Sequence, residues 1–351
     1  MHNPNSAIRT LNESIGTFMG RDALELAASS LGLTPSDTVL MPGYVCKEVV
    51  RSFHGKSKIA FYDVELDLSV MPQEIERRFD ENRPKALLLI NYFGFLQPHR
   101  KALADLCRRQ NAILIEDCAH SLLTAGSGES GDFCIYSFRK LLPVPDGGAL
   151  NVKRRVGGWG ARFQPRFVSN LLSVLIILKL RLKVRSEALS RAGIATRAKG
   201  AVAARPEANG RRRYLPISWF AERGIRKADI ASIVSKRRAD FLSWQEWSRD
   251  CGLCSPIFSH LDDGVCPLGF PVRSRARDEL KGLLDSRGIL LKVHWRRLPE
   301  IGETCPNSLR LSDEALTLPI YPELAVGDRE RIIEAFTEVC ARHRMAKGCF
   351  S

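Results

Sequence analysis

The strongest constraint on the fold is an alternation between short apolar runs and segments with helical spacing. Apolar runs occur at residues 38–42, 58–64, 85–94 and 112–117, and helical patterns lie between them. Pro72 marks the first turn of one of these helices, where its missing N–H leaves no hydrogen bond unmade. Because strands joined through helices usually run parallel, the pattern predicts an α/β fold with a mainly parallel, helix-covered sheet.

Polar residues follow the ends of these predicted strands. Asp63 and Asn91 each lie near the end of an apolar run, and Glu116 and Asp117 end the run at 112–117. Ligands of parallel α/β sheets bind beyond the carboxyl ends of the strands. The paired acids are therefore candidates for a site at that edge, although acids at the end of a core strand can also simply face solvent.

Lys140 lies between two predicted core strands, where a charged side chain is unusual. Residues 131–152 predict two strands, with Ser137, Lys140 and a turn rich in Pro and Gly between them. A lysine held between core strands is costly to bury unless it loses its charge or finds a partner. Imine formation with an aldehyde removes the charge, and a nearby acid keeps a pyridine nitrogen protonated, as pyridoxal phosphate requires. The spacing alone fits an ordinary loop lysine equally well.

Two other kinds of site are weakly supported. Residues 55–57 (Gly-Lys-Ser) match the second half of the phosphate-binding loop of nucleotide hydrolases, but Val50 stands where the first glycine is needed. Cys251 and Cys254 have the spacing of zinc ligands, but no second pair follows at finger distance, so we expect no metal site. The ten cysteines have no regular spacing, and we expect them to remain free thiols in a cytoplasmic protein.

The net charge of +14 is concentrated in one segment. Between Asn151 and Arg213 the chain has 16 Lys and Arg but only two Glu, which accounts for the whole excess. No nucleic-acid-binding module is recognisable, so we expect no nucleic acid partner. Residues 167–185 predict a helix whose apolar part is too short to cross a bilayer. This helix either packs on the main domain with its cations in water or lies on a membrane surface, which leaves a peripheral membrane contact through 165–213 open.

The length of the chain predicts a division into domains. A chain of 351 residues with 44% hydrophobic content suits one large domain and a smaller one. We expect a large domain at 1–213 with the basic segment 151–213, a helical link at 214–262 and a small C-terminal α/β domain at 263–351. Helical stretches at 211–220 and 230–247 would connect the two domains. The N-terminal residues lack the basic and apolar regions of a signal peptide.

Several segments, taken in order, resemble one enzyme family. The resemblance is carried by GRDALELAASSLGLTPSDTVLMPGYVC (20–46), INYFGF (90–95), LIEDCAH (114–120) and DGGAL (146–150), and by VHW and TLPIYPEL near the C-terminus. On these motifs the chain is similar to the DegT/DnrJ/EryC1/StrS family, which consists mainly of sugar aminotransferases of the fold-type-I class of pyridoxal phosphate enzymes. The resemblance implies a large cofactor-binding domain and a smaller α/β domain.

The resemblance also implies three catalytic residues. Lys140 matches the lysine that holds the cofactor aldehyde as a Schiff base and shuttles protons, and Asp117 matches the partner of the pyridine nitrogen. His120 matches a Gln or His near the phenolic oxygen of the ring. Glu116 has no direct role in this scheme. The separation of Ser137 from Lys140 is shorter than in many relatives, although other fold-type-I enzymes share it.

Further residues match cofactor-binding positions of the family. Gly20, Arg21 and Asp22 match the turn whose backbone amides hold the phosphate at a helix N-terminus. Ser137 matches a serine that hydrogen-bonds the same phosphate. Cys46 falls where many relatives place an aromatic residue over the cofactor ring, and because a thiol stacks less well we expect weaker cofactor binding.

By the same resemblance, the expected reaction moves an amino group from an amino acid, expected to be glutamate, to a keto-sugar. We expect a nucleotide-linked sugar, a role in surface glycan or secondary-metabolite biosynthesis, and a homodimer. Arg211, Arg212 and Arg213 are candidates for binding the diphosphate of such a sugar. Two alternatives remain: a pyridoxal phosphate enzyme with a non-sugar substrate, and a non-catalytic, basic, membrane-associated scaffold of the same fold.

Overall fold

The protein is built around a sheet of seven strands. The structure, a computed structural model, describes residues 6–154, 162–190 and 213–348, with the backbone alone at 181–190 and 344–348. Within the described residues the strands of this sheet are β1 (Ile15–Thr17), β2 (Thr38–Pro42), β3 (Lys58–Tyr62), β4 (Ala86–Ile90), β5 (Ile113–Asp117), β6 (Phe133–Ser137) and β7 (Gly148–Val152). Their order across the sheet is β1-β7-β6-β5-β4-β2-β3. Neighbours from β3 to β6 pair in parallel, and β7 pairs antiparallel with β6 and β1, so the predicted mainly parallel sheet is confirmed.

Helices join the strands of this sheet. They are α1 (Ser6–Asn12), α2 (Gly20–Ser30), α3 (Lys47–Phe53), α4 (Pro72–Asn82) and α5 (Arg100–Arg109). Pro72 is the first residue of α4, as the sequence predicted. All residues of β4 and β5 are buried, which explains their continuous apolar sequence, since a strand covered on both faces has no wet side. The sequence analysis missed β1, whose three residues are too short to show a period.

The carboxyl ends of the central strands lie side by side. Ile90 pairs with Asp117, and Asp117 pairs with Ile135, so β4, β5 and β6 reach the same edge in register. The backbone N–H of Asn91 donates to the carbonyl of Asp117 at 3.1 Å. The sheet therefore brings the polar residues that follow these strands to one edge, as the sequence analysis expected.

The basic segment forms a short ribbon and a long helix. Its described elements are β8 (Arg162–Phe163), α6 (Arg166–Ser190) and β9 (Arg213–Tyr214). The expectation of a helix at 211–220 was wrong, because Arg213 and Tyr214 pair in parallel with β8. Arg211 and Arg212 lie outside the described residues, and Arg213 is exposed on β9.

The long helix α6 packs through small polar residues. Ser173 Oγ donates to the buried Asp146 carboxylate and lies 2.9 Å from the Ser169 carbonyl, and both serines are fully buried. The opposite side, here called the α6 face, is apolar and exposed; its residues are Phe167 (68%), Leu171 (60%), Leu175 (54%) and Leu178 (49%). Among the described residues no helix combines the length and the apolar character needed to cross a bilayer.

The remaining chain forms helices and a small antiparallel sheet. The helices are α7 (Trp219–Lys227), α8 (Ile230–Ser248), α9 (Arg277–Ser286), α10 (Pro306–Glu314) and α11 (Asp328–Gly348). The strands are β10 (Ser255–Pro256), β11 (Phe270–Arg273) and β12 (Ala315–Leu318), in that order across the sheet. The helix predicted at 230–247 corresponds to α8, whereas α7 begins only at Trp219, after Ser218 caps it by accepting from the Ala221 N–H at 3.0 Å. The domain boundaries given above remain a prediction.

Asp63 joins the large sheet to the C-terminal part of the chain. Its carboxylate accepts hydrogen bonds from the N–H groups of Asn307 (2.9 Å) and Ser308 (2.8 Å) and from Ser308 Oγ (2.6 Å). These N–H groups lie in the first turn of α10, where backbone N–H groups have no acceptor within the helix. Asp63, considered above as a ligand-side residue, therefore caps a helix that is distant in sequence.

We expect Asp63→Asn to destabilise the protein. The amide nitrogen would face the Asn307 N–H, leaving one part-buried hydrogen bond unmade at a cost of about 1–3 kcal/mol in the free energy of unfolding. Urea denaturation measures this, with Asp105→Asn as the control because Asp105 pairs only with exposed Arg108. Equal midpoints for the two variants would contradict this role of Asp63.

Candidate active site

Lys140 is presented by the connection between β6 and β7. Phe138–Lys140 form a single 3-10 turn, and the Phe138 N–H donates to the Gly147 carbonyl at 3.0 Å. Phe138 and Leu141 are buried, whereas the side chain of Lys140 is exposed. The flanking apolar residues thus anchor the turn and leave the lysine open to the edge of the sheet, between two strands as predicted.

Lys140 and Asp117 shift each other's pKa. The surrounding protein lowers the pKa of Lys140 by replacing water around the ammonium, and Asp117 opposes this effect. Burial raises the pKa of Asp117, while Lys140 and a 2.9 Å hydrogen bond from the Ala119 N–H oppose it. Lys140 therefore loses its proton more readily than a lysine in water, and the neutral amine is the form that attacks carbonyl carbons.

The first of the paired acids, Glu116, is bound entirely by protein donors. It is fully buried, and its carboxylate accepts from Asn91 Nδ2 (2.8 Å) and from the N–H groups of Gly128 (3.1 Å), Ser130 (3.1 Å) and Gly131 (2.8 Å). The three backbone bonds hold the loop between β5 and β6 against the sheet, and the bond from Asn91 links Glu116 to the end of β4. Glu116 is therefore a structural residue, and of the two acids that end β5 only Asp117 is left for the site.

His120 is held in one tautomer beside the lysine. The Phe93 N–H donates to His120 Nδ1 at 3.3 Å, so the remaining ring proton is on Nε2. Burial lowers the pKa of His120 well below its usual value, and the charge of Lys140 adds to this effect. The Trp295 indole stacks on the imidazole, with ring centroids 5.6 Å apart and planes 24° apart. His120 is therefore a neutral hydrogen-bond donor at Nε2, which fits the expected position near a phenolic oxygen.

The N-terminus of α2 meets the end of β6 at close range. A Cβ added to Gly20 would lie 3.0 Å from Ser137 Cβ and 3.2 Å from the Tyr136 carbonyl. A Cβ added to Gly148 would lie 2.3 Å from the carbonyl oxygen of Met19. Gly148 leaves no room for a side chain and Gly20 leaves little, and this close approach sets free helix N–H groups next to the Ser137 hydroxyl.

Positive charge adds to this helix terminus. Burial lowers the pKa of Arg139, and the nearby charge of Arg21 lowers it further. Asp22 caps α2 by accepting from the Met19 N–H at 3.1 Å. We call the first turn of α2, Ser137 and the guanidinium groups of Arg21 and Arg139 the phosphate cradle. Its donors and charge fit a phosphate group, since helix N-termini and arginines are favoured partners of phosphate.

Cys46 lies near Lys140, and three aromatic rings cluster beside His120. Cys46 is half-buried just before α3, and its ionised form would raise the pKa of Lys140, which places it close to the amine. Trp295 lies 5.4 Å from the Tyr44 ring and 6.1 Å from the Tyr92 ring, measured between centroids. The role of Cys46 against a cofactor ring stays a prediction. Across the described part of the chain no cluster of His, Cys, Asp or Glu has an arrangement that could hold a metal ion.

Several residues of this site were not predicted from the sequence. Arg139 precedes Lys140 but had no motif of its own. His294 and Trp295 were noted only within VHW; the His294 ring lies 6.0 Å from the His120 ring, and its Nδ1 lies 2.9 Å from Thr317 Oγ1. Their place at the sheet edge depends on contacts between distant parts of the chain, for which a single sequence carries no signal.

The part of the sequence that contains the candidate site is similar to a known family. The model of the DegT/DnrJ/EryC1/StrS aminotransferase family matches residues 9–154, which include the phosphate cradle, Asp117, His120 and Lys140. A relative from Streptomyces venezuelae, dTDP-3-amino-3,4,6-trideoxy-alpha-D-glucose transaminase, is 27% identical over 355 aligned residues. That alignment covers 94% of this chain and 84% of the relative.

Comparison with solved structures supports the same fold over nearly the whole chain. The aminotransferase TlmJ from Streptoalloteichus hindustanus has a TM-score of 0.70 and 20% identity, covering 98% of this chain and 92% of its own. The structure of ntda from Bacillus subtilis, solved with its bound cofactor PMP, has a TM-score of 0.64 and 16% identity, covering 93% and 73%. Residues 9–154 are thus similar to the DegT/DnrJ/EryC1/StrS aminotransferase family, and the fold shared with solved aminotransferases extends over nearly the whole chain.

Proposed function

We propose that this chain is a pyridoxal-phosphate-dependent aminotransferase in which Lys140, Asp117 and His120 carry the chemistry. The observation that carries the proposal is the placement of Lys140 and Asp117, which affect each other's pKa, at the same strand ends as the phosphate cradle. A non-catalytic scaffold has no need of a lysine whose pKa is lowered beside a buried carboxylate.

The residues of the site would hold the cofactor at both ends. The phosphate cradle would bind the phosphate, and Asp117 would accept a hydrogen bond from the protonated pyridine nitrogen. Neutral His120 would donate from Nε2 to the phenolic oxygen. When bound, the cofactor supplies an aldehyde that captures amines and a ring that stores electrons during proton transfer.

Lys140 has two tasks in this scheme. As a neutral amine it would hold the aldehyde carbon through Nζ, and once freed by an amino substrate, Nζ would carry a proton from the substrate's alpha carbon to that cofactor carbon. Asp117 keeps its negative charge because the bound, protonated nitrogen would replace the attraction of the Lys140 ammonium. The buried carboxylate therefore stabilises charge that develops across the site.

The proposed substrates are an amino acid, which we take to be glutamate, and a nucleotide-linked keto-sugar. The proposal is supported by the transaminase from Streptomyces venezuelae, whose name specifies a dTDP-linked amino sugar. It is also supported by cations around the site, since Lys292 contributes to lowering the pKa of both His120 and His294. A positive site favours the carboxylates of the donor and the diphosphate of the acceptor. Surface glycan or secondary-metabolite synthesis would use such a product.

We also propose a homodimer and a cytoplasmic location. The α6 face exposes four large apolar side chains in one row, a pattern typical of a surface that another molecule covers. A second copy of the chain is the occupant we propose, and a membrane contact through 165–213 is the alternative that the test below includes. The nine cysteines within the described residues are free thiols, which supports a reducing compartment.

We expect purified protein to bind pyridoxal phosphate and to give a visible absorption band that L-glutamate removes. The band arises from the covalent link between the aldehyde and a lysine amine, and an amino donor that reacts fully would abolish it. Absorption spectra before and after L-glutamate measure this. Lys140→Ala should give no such band, whereas Lys101→Ala, an exposed lysine of α5, should behave as wild type.

Two outcomes would contradict this account. A wild-type band that persists with L-glutamate would remove glutamate as the donor while keeping the cofactor. A normal band in Lys140→Ala would show that another lysine binds the aldehyde.

The paired acids should separate into a catalytic and a structural residue. We expect Asp117→Asn to lower kcat by about 100-fold or more while cofactor binding falls much less, because the charge opposite the ring nitrogen is lost. Glu116→Gln should instead lower the free energy of unfolding by about 2–3 kcal/mol, because an amide N–H would face backbone donors. Steady-state kinetics and urea denaturation of both variants measure this. Equal losses of activity and cofactor binding in Asp117→Asn would sink its assignment.

The α6 face should control assembly. We expect the wild-type chain to sediment as a dimer and Leu171→Ser/Leu175→Ser to sediment as a monomer, because the substitutions place hydroxyls in an apolar contact. Analytical ultracentrifugation measures this, with Val326→Ser as the control for an exposed apolar side chain elsewhere. A monomeric wild type that floats with anionic vesicles would instead assign the face to a membrane surface.

A further inference from the structure

The C-x-x-C motif between α8 and β10 brings two thiols into direct contact. Cys254 Sγ lies 3.3 Å from Cys251 Sγ and points its S–H at it. Cys254 is buried and Cys251 is half-buried, so one sulfur of the pair is open to reagents while the other is sheltered. A disulfide has an S–S distance of about 2.05 Å, so the two sulfurs need only a small approach to bond.

The two sulfurs also differ in acidity from the other cysteines. The hydrogen bond from Cys254 lowers the pKa of Cys251, and the same interaction together with burial raises that of Cys254. At Cys107, Cys134 and Cys266 burial instead raises the pKa, so these remain unreactive thiols. An accessible, more acidic sulfur beside a sheltered thiol is the arrangement of a redox-active dithiol.

A positively charged cavity adjoins Cys254, the sheltered sulfur of the pair. It has a volume of about 440 Å³, and Cys254, Arg273, Arg275 and Arg310 are among the residues that line it. Arg273 and Arg310 share one carboxylate, Glu314, at 3.4 and 3.0 Å, while Arg275 is exposed. Three guanidinium groups and this one carboxylate give the lining of the cavity a net positive charge, and its volume suits a small molecule.

We propose that Cys251 and Cys254 form a site for thiol–disulfide exchange with a small disulfide that carries carboxylates. The Cys251 thiolate attacks one sulfur of the reagent, whose S–S bond breaks and releases one thiolate. Cys254 then attacks Cys251 Sγ and passes its proton to the second departing thiolate. Two protein thiols are oxidised to one disulfide, and one small disulfide is reduced to two thiols.

A titration of the wild-type chain tests the dithiol and requires no variant to fold. The full chain is equilibrated in glutathione buffers of rising oxidised fraction, quenched with acid, alkylated after denaturation and mapped by peptide mass spectrometry. We expect a Cys251–Cys254 disulfide at ratios where Cys107 and Cys134 are still alkylated. Cys254→Ser should trap glutathione on Cys251, and Cys251→Ser should leave Cys254 without an adduct.

The charge of the cavity is tested by the choice of disulfide. We expect Arg275→Gln to slow oxidation by oxidised glutathione by about threefold at low salt, because one attractive charge is lost. Oxidation by cystamine, a disulfide with amines in place of carboxylates, should not slow. Lys101→Gln, which removes an exposed cation on α5, should change neither rate.

Three results would overturn the proposal. Cys251 and Cys254 that stay alkylated at every glutathione ratio would remove the dithiol. Stoichiometric zinc on the purified chain that thiol reagents release would make the pair a metal site. Equal effects of Arg275→Gln on both disulfides would remove the cavity as the binding site for the reagent.

Discussion

The site depends on one unfavourable placement, a lysine set among core strands opposite a buried carboxylate. Asp117 loses hydration on burial, the protein around the exposed Lys140 side chain lowers the pKa of its amine, and each of the two groups opposes the pKa shift of the other. The placement persists because the neighbouring turn is anchored by buried Phe138 and Leu141 and because Asp117 ends a strand that is buried throughout. The proposed chemistry requires this placement, because it needs an amine that loses its proton easily and a carboxylate that is fixed in position opposite it.

Much of the fold was predictable from local patterns. The burial of β4 and β5 on both faces produces unbroken apolar runs, and Pro72 begins α4 for a reason that is visible in the sequence. The pattern failed where tertiary contacts decide the structure. Tyr214 pairs with β8 although its neighbourhood resembles a helix, and α6 turns Ser173 inward, where it donates to the buried Asp146 carboxylate.

The site was predictable only in part. Lys140, Asp117 and His120 lie in segments that resemble family motifs, and the fold brings them together. Arg139 carries no signal beyond its charge, and Trp295 reaches His120 only because the C-terminal part of the chain packs over the strand ends. The two adjacent acids look alike in sequence, yet only the hydrogen bonds of the structure separate the structural Glu116 from Asp117.

The central claim is that Lys140 is the residue that binds the cofactor aldehyde. The most direct measurement is borohydride reduction of the protein loaded with pyridoxal phosphate, followed by peptide mass mapping of the modified lysine. We expect the label on the peptide that contains Lys140, and no labelled peptide from Lys140→Ala. A label spread over exposed lysines, or one placed on a different lysine, would contradict the account of this site.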